Sequence, residues 1–130
     1  MKRLALLALS VTAACHHAPH SMAATPAVPA GVTAAMITRG DSIFNNMSCV
    51  RCHGPKGVGG VRGPNLTDQT WIHADGSYDS IVQLVTTGFT KAQQKDPQYQ
   101  FTMNPRGGMN LTDDQIHAVG AYVWSLSHPH

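Results

Sequence analysis

A chain of 130 residues is the length of one small domain, and 12% charged against 42% hydrophobic residues exclude a chain too polar to fold. The formal charge of +2 rests on Lys2 and Arg3; without them seven basic residues face seven acidic ones, all Asp, which gives no support to nucleic-acid binding or a polybasic membrane contact. Once its first quarter is set aside as processing sequence, a domain this small is marginal without a disulfide, a metal or a cofactor at its centre.

Met1-Lys2-Arg3 followed by the apolar run Leu4 to Ala14 has the form of a signal peptide, too short to span a bilayer. Cleavage after Ser21-Met22-Ala23 makes residues 1–23 the signal peptide. The alternative is cleavage after Ala14, which leaves Cys15 as a lipidated N-terminus and a membrane tether. Either exit sends the mature chain to the periplasm, soluble or lipid-anchored. Residues 24–32, which overlap the Pro- and Ala-rich stretch from Ala18 to Gly31, read as a flexible leader, and the domain occupies 33–127.

From Thr33 to Met47 the apolar residues Met36, Ile37, Ile43, Phe44 and Met47 recur at helical spacing with Gly40 among them, which predicts an amphipathic first helix leading into Cys49. On this stripe Met36 and Met47 read as core. Gly54 to Gly63 holds five Gly and one Pro and must be a tightly turning loop. Ser77 is the N-cap of a second helix to Thr87, with Ile81, Val82 and Val85 inward and Gly88 as its stop. Lys91 to Asn110 is mostly loop, longer than a connection without a task. Thr112-Asp113-Asp114-Gln115 matches a capping box for a last helix with the stripe Ile116, Val119, Gly120, Val123 and Leu126, flanked by Tyr122 and Trp124. No strand-period pattern occurs, so the fold class is all-α.

Cys49-Val50-Arg51-Cys52-His53 is CxxCH. Two thiols three positions apart on a helical turn can meet the two vinyl groups on one haem edge, and the adjacent imidazole can turn under the iron. A thioredoxin-type redox disulfide would open a helix after a strand in a βαβ unit, and no strand is visible. A structural zinc needs a second pair of ligands, which Cys15 does not supply.

The chain resembles the bacterial class I c-type cytochromes, and more distantly mitochondrial cytochrome c, from Gly40 to Leu126. Gly40-x-x-Ile43-Phe44 ahead of CxxCH is similar to the family's N-terminal helix, whose Gly and Phe allow close crossing by a C-terminal helix, here the one bearing Tyr122. Gly63-Pro64-Asn65-Leu66 looks like the family's GPNL segment, which implies that Pro64 packs on the haem and that its carbonyl holds the axial imidazole of His53. Met103-Asn104-Pro105-Arg106-Gly107-Gly108 is similar to the family's MPPRGG, with Asn104 in place of the first Pro. This implies Met103 as sixth ligand, with Met109 the alternative. Trp71 and Tyr78 lie where the family's aromatics bind a haem propionate, and Arg62 is a further propionate candidate.

The nitrogen alternatives are weaker. His117 falls at the rim of the last helix, and His73 in a loop reads as solvated.

The resemblance implies a compact cytochrome c fold of three to four helices around one covalent haem c, and a monohaem, non-enzymatic carrier moving single electrons. Its redox partners would be an upstream dehydrogenase or reductase and a downstream oxidase or cytochrome. The alternative function is a haem enzyme or gas sensor with an open iron position, which follows if neither Met binds.

Overall fold

Thr33 opens the first helix from an extended conformation, and its hydroxyl accepts the Met36 amide at 3.2 Å, satisfying one of the free N–H groups of α1 (Ala34–Asn46). The computed structural model describes residues 27–128, so the expected signal peptide and Cys15 lie outside the described residues. Val32, placed in the leader by its sequence, is buried, and its amide donates to the Pro29 carbonyl at 3.1 Å. Helix α1 buries Gly40, Ile43 and Phe44. It ends one residue before Met47, whose extended backbone takes the side chain off the stripe and leaves it 40% exposed rather than in the core.

The break after α1 lets the next segment turn separately. Cys49 is already helical, and α2 (Val50–His53) is a single turn closed by the Cys52 and His53 amides on the Cys49 carbonyl. The Gly-rich loop folds back on this turn: the Gly59 amide donates to the His53 carbonyl at 2.6 Å and the Leu66 amide to the Gly57 carbonyl at 2.7 Å. Helix α3 (Tyr78–Thr87) starts at Ser77, whose hydroxyl accepts the Ser80 amide at 3.3 Å. Just ahead of it, the Asp75 carboxylate accepts from the hydroxyls of Ser77 and Ser80 and from the Ser77 amide. These donors hold its pKa down to about 2.

Helix α4 (Asp113–Ser127) begins with the expected capping box: the Thr112 hydroxyl accepts the Gln115 amide and the Gln115 side chain accepts the Thr112 amide. It packs against both α1 and α3. At the first crossing, a Cβ on Gly40 would lie 2.0 Å from the Ala118 carbonyl oxygen, so only glycine allows this approach. The Phe44 and Tyr122 rings meet beside it at 5.4 Å. At the second crossing, Gly120 faces Val82.

With neighbours on two sides, α4 is buried almost all round. Ala118, Ala121, Tyr122 and Trp124 join Ile116, Val119 and Val123 in the core, so the stripe read from sequence widens into a central helix. The fold is all-α, with four helices and no sheet among the described residues; a single antiparallel bridge joins Phe89 to Met103.

Candidate cofactor site

The helical turn from Cys49 to His53 brings both thiols and the imidazole to one cleft. Its walls are Phe44 of α1, Ile81 and Val85 of α3, and Val119 and Val123 of α4, closed by the segments 62–74 and 99–107. Cys49 and Cys52 are half-buried and not joined as a disulfide. Burial is the largest influence on the Cys49 thiol and raises its pKa; a hydrogen bond from its own backbone opposes this, and the neighbouring Cys52 adds to it.

His53 has a set orientation. Its Nδ1 lies 3.2 Å from the Pro64 carbonyl oxygen, so the ring donates there and Nε2 is left as a ligand atom. Gly63 makes the approach possible, because a Cβ there would lie 3.1 Å from the Cys52 carbonyl oxygen and 3.2 Å from His53 Nδ1. Burial lowers the His53 pKa, partly offset by the Pro64 hydrogen bond, and so favours the neutral imidazole that binds metals.

Met103 lines the same cleft and Met109 does not: Met109 is partly buried against the core, its Cε 3.2 Å from where a Cβ on Gly107 would lie. The long loop expected between Lys91 and Asn110 is therefore a wall of the site. It contains two 3-10 turns, Lys91–Gln93 and Pro105–Gly108, and is fastened at several points. The Ser48 hydroxyl donates to the Gly107 carbonyl at 2.7 Å, tying the methionine segment to the residue before Cys49. Arg106 bridges to Asp113 at 2.8 Å and donates to the Leu111 carbonyl.

Trp71 is in the cleft, and its Nε1 is the one buried side-chain polar atom without a hydrogen-bond partner among the described residues. A buried unpaired donor is costly unless an acceptor meets it, which suits a ligand carrying carboxylates. Arg62 lines the mouth with its guanidinium 4.6 Å above the Phe101 ring.

Tyr78 stands outside the cleft. As a first-turn residue of α3 it points toward α4, where its hydroxyl is 2.8 Å from His117 Nδ1, so it does not join the residues grouped with it from sequence. His117 is exposed at that rim. His73 is not solvated as expected: it lines the cleft, stacks on Phe89 at 3.8 Å and donates through Nε2 to Gln94 Oε1 at 2.8 Å. Neither Phe89 nor Gln94 was legible as a site residue, since each is an isolated residue in an irregular segment without periodicity.

Two thiols on one turn, an imidazole with Nε2 available, a thioether, apolar walls and an orphaned indole donor fit haem c as a donor set.

The cytochrome c family profile matches residues 37–127. The chain is 37% identical over 84 residues to the Cbb3-type cytochrome c oxidase subunit CcoP of Rubrivivax gelatinosus, covering 61% of this chain and 23% of that one. It is 35% identical over 98 residues to the Cbb3-type cytochrome c oxidase subunit FixP of Sinorhizobium medicae, covering 72% and 32%. The chain thus spans a third or less of the length of these relatives. Among solved structures, cytochrome cL of Methylophaga aminisulfidivorans superposes with a TM-score of 0.52 at 24% identity, over 69% of this chain and 52% of that one, a likeness of fold. With the CxxCH turn at the mouth of an apolar cleft between α1, α3 and α4, and the family match running from Ile37 to Ser127, this chain belongs to the cytochrome c family.

Proposed function

We propose that the protein is a periplasmic single-haem electron carrier, with haem c attached through Cys49 and Cys52 and ligated by His53 and Met103. The observation that carries this reading is the meeting of His53, Met103 and both thiols in one apolar cleft. When bound, the group supplies a one-electron couple in which the iron changes valence while both ligands stay in place. The chain does the rest. Pro64 holds the His53 Nδ1 proton and so fixes tautomer and ring direction. The Met103 thioether favours the reduced state, and the apolar walls keep water out, which limits reorganisation. Trp71 Nε1–H and Arg62 are the donors for the group's carboxylates.

The absorption spectrum of the matured protein tests this directly. A low-spin spectrum with the weak far-red band of sulfur-ligated ferric haem is expected, unmoved by carbon monoxide after reduction, and Met103→Ala should abolish that band. A high-spin ferric spectrum with rapid carbon monoxide binding in the unaltered protein would reject the carrier in favour of the ligand-binding enzyme or sensor.

The partners are redox proteins, an upstream dehydrogenase or reductase and a downstream oxidase or cytochrome, in keeping with relatives that are oxidase subunits. The docking face proposed for them is the rim beside the CxxCH turn. Val58 and Val61 are 60% and 89% exposed there, Arg51, Lys56 and Arg62 are exposed beside them, and no acid occurs between Asp41 and Asp68. Although the processed chain is near neutral, its oxidation of a small anion should follow this local charge. The rate with ferrocyanide should fall several-fold between about 10 mM and about 500 mM salt. A rate indifferent to salt would remove the cationic rim from the proposal.

The same reading includes export by residues 1–23, or by 1–14 with Cys15 lipidated as a membrane tether, the leader at 24–32 and the domain at 33–127. Mass spectrometry of the mature N-terminus distinguishes the two exits. No helix among the described residues is long and apolar enough to cross a membrane.

A further inference from the structure

Met103 lies in an irregular segment well beyond the end of α3 at Thr87, so something other than helix geometry must set its position. Its backbone is held from α3's end. The Phe89 amide donates to the Met103 carbonyl at 2.8 Å, the only ladder-type pairing among the described residues. The residue before Phe89 is what permits it. Gly88 has φ +59°, and a Cβ there would lie 2.1 Å from the Met103 carbonyl oxygen and 2.7 Å from the Asn104 carbonyl carbon. Both neighbours are backbone atoms, so any side chain at position 88 must push the methionine segment away.

Phe89 is held in turn from its other side. His73 stacks on its ring at 3.8 Å with planes 13° apart, and His73 Nε2–H donates to Gln94 Oε1 at 2.8 Å. The Gln94 side-chain amide then donates to the Phe101 carbonyl at 3.0 Å, two residues before Met103. Gln94, His73, Phe89 and Met103 therefore form one closed chain of contacts around the methionine segment, with Gly88 as the point of closest approach.

We propose that Gly88, Phe89 and His73 form a clasp that positions Met103 toward the cleft and so decides whether the iron site is closed by a thioether or open to an external ligand. This rests on Met103 being the sixth ligand. The three residues act through the Met103 backbone and are positioning residues. An intact clasp keeps the closed state dominant; a weakened clasp raises the population in which Met103 is displaced, and an external ligand draws on that population.

The test uses the haem-loaded protein and four variants: Gly88→Ala, His73→Ala, His73→Phe and Met103→Ala. Four quantities are measured: covalent haem content by mass, the far-red band in the oxidised form, carbon monoxide association after reduction, and hydrogen exchange at the Phe89 amide. Gly88→Ala is expected to keep its haem but lose most of the band and bind carbon monoxide about tenfold faster or more. His73→Ala should shift both readouts in the same direction by less, while His73→Phe, which keeps the ring stack, should stay nearer the unaltered protein. Hydrogen exchange at the Phe89 amide should quicken in step with these changes.

If Met103→Ala loses the band while Gly88→Ala and His73→Ala retain it and still exclude carbon monoxide, the clasp is overturned and the ligand assignment stands. If Met103→Ala itself retains the band, the ligand assignment falls and the clasp with it. Should Gly88→Ala not fold, the His73 pair tests the clasp, and Met103→Ala still tests the ligand assignment.

Discussion

Gly40→Ala should lower the midpoint of thermal unfolding by roughly 10 °C or more. In an isolated helix the change would help, by about 1 kcal/mol, because alanine restricts the unfolded chain and favours helix. Here the new Cβ would lie 2.0 Å from the Ala118 carbonyl oxygen and 2.7 Å from the Tyr122 Cβ. Neither obstacle is a flexible side-chain tip. Relief requires α1 and α4 to move apart, which loosens the Phe44 and Tyr122 contact and the hydrogen bond from Asn45 to the Tyr122 hydroxyl. Overpacking of this sort costs about 3 kcal/mol or more, which exceeds the propensity gain and is a large share of the stability of a domain this size. Circular-dichroism melts of the matured protein check it, with Gly60→Ala as control, since a Cβ there would meet nothing nearer than the Cys52 carbonyl oxygen at 3.8 Å. Equal midpoints for the two variants would mean that the crossing is looser than described.

Joint replacement of Cys49 and Cys52 by Ala should leave the chain without covalent haem and largely unfolded at 37 °C. The physical reason lies in the cleft. Phe44, Ile81, Val85, Leu111, Val119 and Val123 belong to the core cluster and also line the site, so one face of the core is completed by what the cleft holds. Without an attached group that face meets water, and a domain of about 100 residues has little reserve against such a loss. Haem staining after denaturing electrophoresis reports the attachment, and far-ultraviolet circular dichroism reports the fold. A double variant that stays helical and melts as the unaltered protein does would show that the four helices need no group between them.

The helices and the CxxCH turn were readable from local chemistry. Thr33, Ser77 and Thr112 each carry a hydroxyl at the residue where a helix begins, and each accepts the amide three residues on. The CxxCH spacing is itself a geometric statement about one helical turn. Met47 was misplaced because periodicity continues through a sequence whether or not the helix does, and Met47 follows the last residue of α1. The burial of Tyr122 and Trp124 was missed for a related reason: a stripe predicts one buried face, and α4 has a partner on each side.

The residues between helices are where sequence reading stopped. Met103 and Met109 are both methionines in one irregular segment, and nothing in their local pattern says which reaches the cleft; resemblance to a family ranked them. Their positions follow from contacts made far along the chain, with Phe89 pairing to Met103 and Ser48 reaching Gly107. His73 looked like a loop residue and is a stacked wall of the site, because Phe89 and Gln94, which follow α3 in the chain, pack on it. Tyr78 looked like a cofactor contact, and the rotation of α3 turns it to His117 instead. Helix starts, periodic faces and the CxxCH turn depend on neighbours within about four residues and so are written locally in the chain. The membership of the cleft depends on which distant segments pack together, a choice made by helix crossings such as Gly40 on Ala118, which resemblance to a family anticipated and helical periodicity alone does not encode.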